Sequence, residues 1–322
     1  MAASALSPVV YMMEVYAMET ILGVIRTALP VFLALLMGIL CRKKQLLSRE
    51  GVETLKKVAV DIGLPFVVVG AFATAQYTIN SLILPLVIFA AGCLGLFLGK
   101  VLCRKLKMPG TLTPFLMCGF EGGMLGYPLF MLLFPETDKS AFALIDLGQA
   151  FFCFTIYKAM LAGKNGSAKA MAKDCLSTPV VWGVIAGLLL GATGLYGWLN
   201  SIGIASVIDA CTAFISAPVS MLILLCVGYD LRISDLTRAT TLKTVALRLI
   251  IMGSMLGIIL LVNHFVPFVH VGAMILAFIL PAPYVVPIFA DKPEEREQVS
   301  SALSAMTAVT LMIFAVMCVF VQ

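Results

Sequence analysis

Residues 118–130 read C-G-F-E-G-G-M-L-G-Y-P-L-F in the middle of a long apolar segment. Gly122, Gly123 and Gly126 carry no side chain and weaken a helix, while Pro128 lacks a backbone donor and clashes with the preceding turn. The stretch therefore predicts a helix that is interrupted half-way along an apolar run.

A second stretch of the same kind lies near the other end of the chain. Residues 280–289 read L-P-A-P-Y-V-V-P-I-F and contain Pro281, Pro283 and Pro287. Three prolines in seven residues also predict a broken helix. At bilayer depth a broken helix persists only where the freed backbone groups face protein or a wet cavity.

The composition indicates an integral membrane protein. Hydrophobic residues make up 61% of the 322 residues and charged residues only 12%, whereas a soluble domain has about 25% charged residues. Mean hydropathy is +1.06. The first twenty residues lack a basic segment and include Glu14 and Glu19, so we do not expect a cleaved signal peptide.

Several classes of partner and site are disfavoured. The nine cysteines occur singly and the only histidines are His264 and His270, so no metal centre and no cofactor are expected. The net charge of +5 is spread over short loops rather than gathered in one patch. We therefore expect contact with membrane lipid and none with nucleic acid.

Ten apolar runs, each of about 20 residues, follow one another along the chain; they are numbered here as spans 1 to 10. They lie at residues 20–41, 52–76, 81–103, 112–134, 140–161, 177–198, 204–228, 244–266, 270–290 and 298–321. The predicted fold is an all-α integral membrane protein of about ten transmembrane helices, in which spans 4 and 9 are broken.

The basic residues predict an orientation. Of the 22 lysines and arginines, 20 fall in or beside the loops that follow the odd-numbered spans, and only Arg26 and Lys139 fall on the other side. Loops rich in basic residues stay cytoplasmic. Both termini should therefore lie outside a plasma or inner membrane.

An internal repeat is visible when the two halves are compared. Residues 30–38 read P-V-F-L-A-L-L-M-G and residues 179–187 read P-V-V-W-G-V-I-A-G. Two further proline pairs match in order, Pro65 with Pro218 and Pro128 with Pro287. Because each half has five spans, residues 20–161 and 177–321 are predicted to form an inverted repeat, a common plan for transporters.

The two breaks predict where a ligand would bind. The N-terminal ends of half-helices present unpaired N–H groups that suit an anion such as a carboxylate. Glu121 precedes the glycine pair, and a carboxylate at this depth is costly unless it is protonated, paired or hydrated. It is a candidate proton carrier or ligand; the alternative is a protonated acid that caps the broken backbone.

Span 5 adds a second polar pair, since Asp146 and Gln149 lie one turn apart on one face. Asp209 is read as a group near the outer surface, Asp61 as one near the cytoplasmic surface, and Arg248 as an interfacial anchor that could instead face a substrate carboxylate. The complete candidate site for substrate or ion comprises Glu121, Gly122, Gly123, Gly126, Tyr127, Pro128, Asp146, Gln149, Pro283 and Pro287.

The segments resemble the auxin efflux carrier family, which includes plant auxin carriers and bacterial dicarboxylate carriers. The resemblance covers nearly the whole chain. It rests on M-G-I-L-C-R-K-K-Q-L-L-S at residues 37–48, on L-P-F around Pro65, on G-Y-P around Pro128, and on the proline-rich span 9 with the polar start of span 10.

This resemblance implies a scaffold of spans 1, 2, 6 and 7, a moving transport domain of spans 3–5 and 8–10, and a homodimer. It also implies that Pro128 and Pro287 are the crossover prolines, with Asp146 and Gln149 as the polar pair. Glu121 replaces the asparagine that the family commonly has there, which favours proton coupling. The connection between spans 5 and 6 is short, as in microbial members, and auxin is not expected as the substrate.

The leading hypothesis is a secondary active transporter of a small organic anion, for instance a carboxylate, working by elevator-type alternating access with possible proton symport. No nucleotide-binding or hydrolase motif is present, so an enzyme is not expected. A cation/proton antiporter is the first alternative and requires Glu121 and Asp146 to meet. A receptor that binds without transporting is the second, although the loops are short for an output domain.

Overall fold

The computed structural model of the chain describes residues 8–75, 77, 79–161, 169, 173, 176–231, 238–265, 267 and 269–320, with side chains from residue 22 onward except at 79–82. Lys164 and Arg232, two of the basic residues counted in the loops, lie outside the described residues. Every regular element of the described chain is helical, which confirms the all-α class.

Thirteen α-helices are numbered in chain order through the described residues. They are α1 Pro8–Lys43, α2 Arg49–Lys57, α3 Leu64–Ala73, α4 Ile79–Lys105, α5 Tyr127–Leu133, α6 Ser140–Phe152, α7 Lys158–Leu161, α8 Pro179–Ala192, α9 Leu195–Ser201, α10 Ala205–Asp230, α11 Ala239–Phe265, α12 Val271–Ile279 and α13 Pro293–Phe320. Shorter 3-10 turns lie at Thr113–Met117 and Val286–Phe289, and π turns at Val58–Gly63, Gly122–Gly126 and Cys153–Tyr157.

These helices follow the predicted runs, and α1 is longer than span 1 because it begins at Pro8. Within the described residues, seven helices are long and apolar enough to cross a membrane, or eight if α8 and α9, which meet at a 66° bend, form one span. The protein is therefore a multi-pass membrane protein. The count of ten spans and the inverted repeat stay predictions.

The outer surface is apolar. Along α1, Leu29, Leu33 and Leu36 are each about half exposed, and Phe214 on α10 is 83% exposed. A soluble protein rarely presents so continuous an apolar face to water. These side chains suit contact with lipid.

Two prolines account for two of the π turns. Pro65 and Pro128 each lack the N–H that would bond the carbonyl four residues earlier, and each ring clashes with that carbonyl. The helix widens in both places immediately before the proline, at Val58–Gly63 and at Gly122–Gly126. Such turns occur often at functional sites.

Glycines let the helices of the first and second halves approach closely. A β-carbon on Gly38 of α1 would overlap the backbone of α10 at Leu225, and one on Gly228 of α10 would overlap Leu35 of α1. Small residues allow this kind of packing between membrane helices. Spans 1 and 7 are thereby held backbone to backbone.

The remaining contacts fall into two groups. Helices α1, α3, α8 and α10 form one set of packed neighbours and α4, α6, α11, α12 and α13 form another, and the two sets also contact each other where α1 packs on α13 and α3 packs on α6. Their assignment as scaffold and transport domain stays a prediction. Gly123, beside the break in span 4, lies against Leu64 of α3, so this break borders both groups.

Candidate functional site

The breaks of spans 4 and 9 cross each other. The first runs from Cys118 to Glu121 and the second from Leu280 to Val285. The Glu121 N–H donates to the carbonyl of Pro281 at 2.9 Å, and Gly119, with φ +63°, lies beside Pro283. Gly119 adopts a left-handed conformation that glycine allows without strain.

The Glu121 carboxylate joins the two breaks. Its Oε1 accepts from the Met124 N–H at 3.2 Å, and its Oε2 accepts from the Tyr284 N–H at 2.8 Å. One side chain thus caps the backbone that resumes after each interruption. The N–H groups predicted to suit an anion thus already bond the Glu121 side chain, which is the contact that the capping alternative requires.

Asp146 lies next to Glu121. A β-carbon on Gly122 would overlap Asp146 Oδ1, and the two carboxylates are close enough to interact electrostatically. Since Gly122 follows Glu121 in the chain, the two acids that the sequence placed on separate spans lie near each other. Two carboxylates so close favour the sharing of a proton or a cation.

Tyr127 is fully buried and faces Asp146. Its hydroxyl forms no hydrogen bond of ordinary length and angle with any described residue. Buried hydroxyl groups normally have a partner. This hydroxyl is therefore available to donate a hydrogen bond beside Glu121 and Asp146.

Gln149 bonds the backbone of the break in span 4. Its Nε2 donates to the Phe120 carbonyl at 2.9 Å and to Cys153 Sγ at 3.1 Å. Asp146 and Gln149 both reach span 4, which agrees with the prediction that they share one face of span 5. Gln149 bonds the backbone of span 4, whereas Asp146 places a carboxyl group beside it.

Arg248 is not an interfacial anchor, and that prediction is wrong. Its side chain is 3% exposed. Nη1 donates to the carbonyls of Leu116 and Cys118, at 2.8 and 3.4 Å, and Nη2 to those of Gly119 and Leu280, at 2.7 and 2.8 Å. A guanidinium has enough donors to satisfy several carbonyls that a broken helix leaves unpaired.

Span 10 holds the second break in place. Tyr284 Oη and Thr307 Oγ1 form a hydrogen bond of 2.7 Å, and Thr310 Oγ1 donates to the Ile279 carbonyl at 2.5 Å. Neither threonine stands out in the sequence, because threonine is common in helices. Arg248 did carry a signal, since it lies inside an apolar run and intramembrane charges are rarely idle.

The other predicted residues shape the site by their small size or rigidity. Gly126 packs against Phe142 and Leu280, and Pro128 is buried at the start of α5. Pro287 lies farther along, inside the 3-10 turn Val286–Phe289. Asp61 and Asp209 are exposed, and Asp209 accepts from the Tyr196 hydroxyl at 2.8 Å.

The acidic and the basic side chain lie at different backbone ends where the two breaks cross. A carboxylate meets the N–H groups where the helices resume, and a guanidinium meets the carbonyls where they stop, as helix dipoles favour. Among the described residues no three His, Cys, Asp or Glu side chains cluster in a way that could hold a metal ion. The arrangement can exchange a proton or bind a small charged group at Glu121 and Asp146. Comparison with models of known families and with characterised proteins finds no match for this chain.

Proposed function

We propose that the protein is a secondary active transporter of a small organic anion such as a carboxylate, with Glu121 as the proton-carrying group. Spans 3–5 and 8–10 would move as a unit past spans 1, 2, 6 and 7. The proposal agrees with the resemblance to auxin efflux carriers, including their homodimeric assembly, which cross-linking in membranes would test.

One observation carries the proposal. Glu121 is bonded through its carboxylate to N–H groups of both broken spans. Backbone broken within a membrane is costly and is kept at binding sites. A titratable side chain at the junction gives such a site a means of coupling to protons.

The geometry supports a simple exchange. Ionised Glu121 accepts two N–H groups in charge-assisted hydrogen bonds, which weaken when the carboxyl group gains a proton. The N–H groups of Met124 and Tyr284 would then be free for a carboxylate of the solute. One proton would enter with each carboxylate group of the solute. The proton would neutralise Glu121, and the N–H groups would pair with the carboxylate of the solute.

Uptake into proteoliposomes tests the proposal. Small radiolabelled mono- and dicarboxylates are offered with an inward proton gradient, and we expect accumulation that the Glu121→Ala variant abolishes. Glu136→Ala, a change of an exposed glutamate, is the control and should accumulate solute like the unaltered protein. Unchanged uptake by Glu121→Ala would remove Glu121 from the mechanism.

Cation/proton exchange is the second candidate, and the proximity of Asp146 to Glu121 favours it. Two adjacent acids can bind either a cation or protons, but not both at once. Addition of sodium or potassium to acid-loaded proteoliposomes would then raise the internal pH, and Asp146→Asn would prevent the rise. Cation-independent uptake of a carboxylate would decide for the first candidate.

A further inference from the structure

Arg248 makes its hydrogen bonds to two segments that are far apart in the chain. Three of the bonded carbonyls belong to Leu116, Cys118 and Gly119 of span 4, and the fourth belongs to Leu280 of span 9. In each segment the carbonyls lie where the helix stops. The guanidinium is thus bonded at once to the C-terminal ends of the two helical segments that precede the breaks of spans 4 and 9.

A buried charge of this kind is costly unless its donors are satisfied. The four carbonyls satisfy it, and the negative ends of two helix dipoles point toward it. Removal of the guanidinium would leave those buried carbonyls unpaired, which is also costly. The bonds therefore connect the two breaks through one side chain.

The bonded carbonyls lie next to the atoms that hold Glu121. Gly119 is two residues before Glu121, and Leu280 precedes Pro281, whose carbonyl accepts the Glu121 N–H. A shift of either break relative to the other would move the Glu121 carboxylate away from Tyr284.

We propose that Arg248 is a positioning residue that locks the two breaks into one unit and thereby fixes Glu121 at the crossing. The proposal rests on the proposed function only for its effect on transport. Its structural part, the joint locking of both breaks, stands on the hydrogen bonds alone.

The cysteines of the chain report on the lock. Cys118 is fully buried and lies in the chain between two residues whose carbonyls accept from Arg248. Cys226 and Cys318 are fully buried on other helices, and Cys211 is exposed. In purified full-length Arg248→Met we expect N-ethylmaleimide to modify Cys118 about tenfold faster or more, as local opening predicts. Cys226 and Cys318 should stay protected and Cys211 should react as before.

Hydrogen exchange followed by mass spectrometry provides the second measurement. Peptides that contain residues 118–124 and 280–285 should both exchange faster in Arg248→Met, and Arg248→Lys should restore part of the protection. Lys243→Met removes an exposed positive charge from the same helix and should change neither peptide.

Three results would overturn the structural part. They are a protected Cys118 in Arg248→Met, faster exchange in only one of the two breaks, and modification of all buried cysteines together. The last would show a general loosening of the fold.

The transport assay completes the test. If Arg248 positions Glu121, Arg248→Lys should raise KM for the transported carboxylate while Vmax per folded protein is largely kept. A lower Vmax at unchanged KM would contradict a positioning role. Should the unaltered protein transport no carboxylate, the proposed function fails, while the cysteine and exchange measurements still decide on the lock.

Discussion

Glu121 and Arg248 have opposite charges and opposite tasks at the same crossing. Both lie in apolar runs, where a charged side chain signals function. The sequence identifies Glu121 because a glycine pair and a proline follow it. Arg248 lacks such neighbours, and its partners are backbone carbonyls, which no sequence pattern displays.

Gly122 should tolerate no side chain. A β-carbon there would overlap the Asp146 carboxylate, so Gly122→Ala should destabilise the protein by about 1–3 kcal/mol, the usual cost of overpacking. Gly257→Ala is the matched control, because nothing lies within 4 Å of its added methyl group. Thermal unfolding in detergent measures both. Equal stability of the two variants would mean that Asp146 does not press on Gly122.

The Tyr127 hydroxyl should contribute little to stability in the resting protein. Since this hydroxyl faces Asp146 without a hydrogen bond of ordinary length and angle, Tyr127→Phe should be nearly neutral, whereas Tyr284→Phe, which loses the bond to Thr307, should cost about 1 kcal/mol. Unfolding of both variants tests the contrast. A loss of similar size in Tyr127→Phe would show that this hydroxyl is bonded to Asp146.

At the level of elements, the prolines and glycines made the interruptions of spans 4 and 9 predictable. The π turns before Pro65 and Pro128 arise because proline has no backbone N–H to donate. A proline can, however, produce either a wider helical turn or a complete break. The choice between them depends on tertiary contacts. The bond from Glu121 to Pro281 and the threonines of span 10 are such contacts, so the crossing itself could not be derived from either span alone.

An ion-pair cluster ties α2 to the end of α10. Lys56 Nζ lies 2.5 Å from Asp230 Oδ2 and 2.8 Å from Glu53 Oε1. Burial lowers the pKa of Lys56, but the hydrogen bonds to Asp230 and Glu53 and the negative charges of these two carboxylates together outweigh it, and the net pKa is raised above the ordinary 10.5. The cluster therefore stabilises the fold below about pH 10.5, and this contribution is lost as the pH rises through the raised pKa.

Asp230→Asn should accordingly lower stability at pH 7 by at most about 1 kcal/mol, because the carboxylate is half exposed to solvent. As the pH rises through the raised pKa of Lys56, the variant and the unaltered protein should converge. Thermal unfolding across this pH range measures the difference. A gap that persists at high pH would assign the effect to something other than the charge of Lys56.

For the whole molecule, composition and hydropathy were sufficient to predict a helical multi-pass membrane protein. The number of spans was harder to fix, because spans 2, 6 and 9 consist of short or bent pieces in the structure. Hydropathy reports an apolar run whether or not the helix within it is continuous. The candidate site was predicted as a set of residues, but the pairing of Glu121 with Asp146 depends on how the spans pack.

The basic loops predict an orientation that a labelling experiment can test. In intact cells an impermeant thiol reagent should modify Asn200→Cys, which lies at the end of α9, and should not modify Arg49→Cys at the start of α2. Both positions are exposed. Labelling of Arg49→Cys alone would reverse the orientation.

Under the proposed function, protonation of Glu121 couples solute binding to the proton gradient. The most direct measurement compares gradient-driven accumulation with solute counterflow at equal pH in proteoliposomes that contain Glu121→Gln. The glutamine is permanently neutral like the protonated acid, so the account predicts that counterflow persists, independent of pH, while accumulation driven by protons is lost. Accumulation equal to that of the unaltered protein would contradict the account.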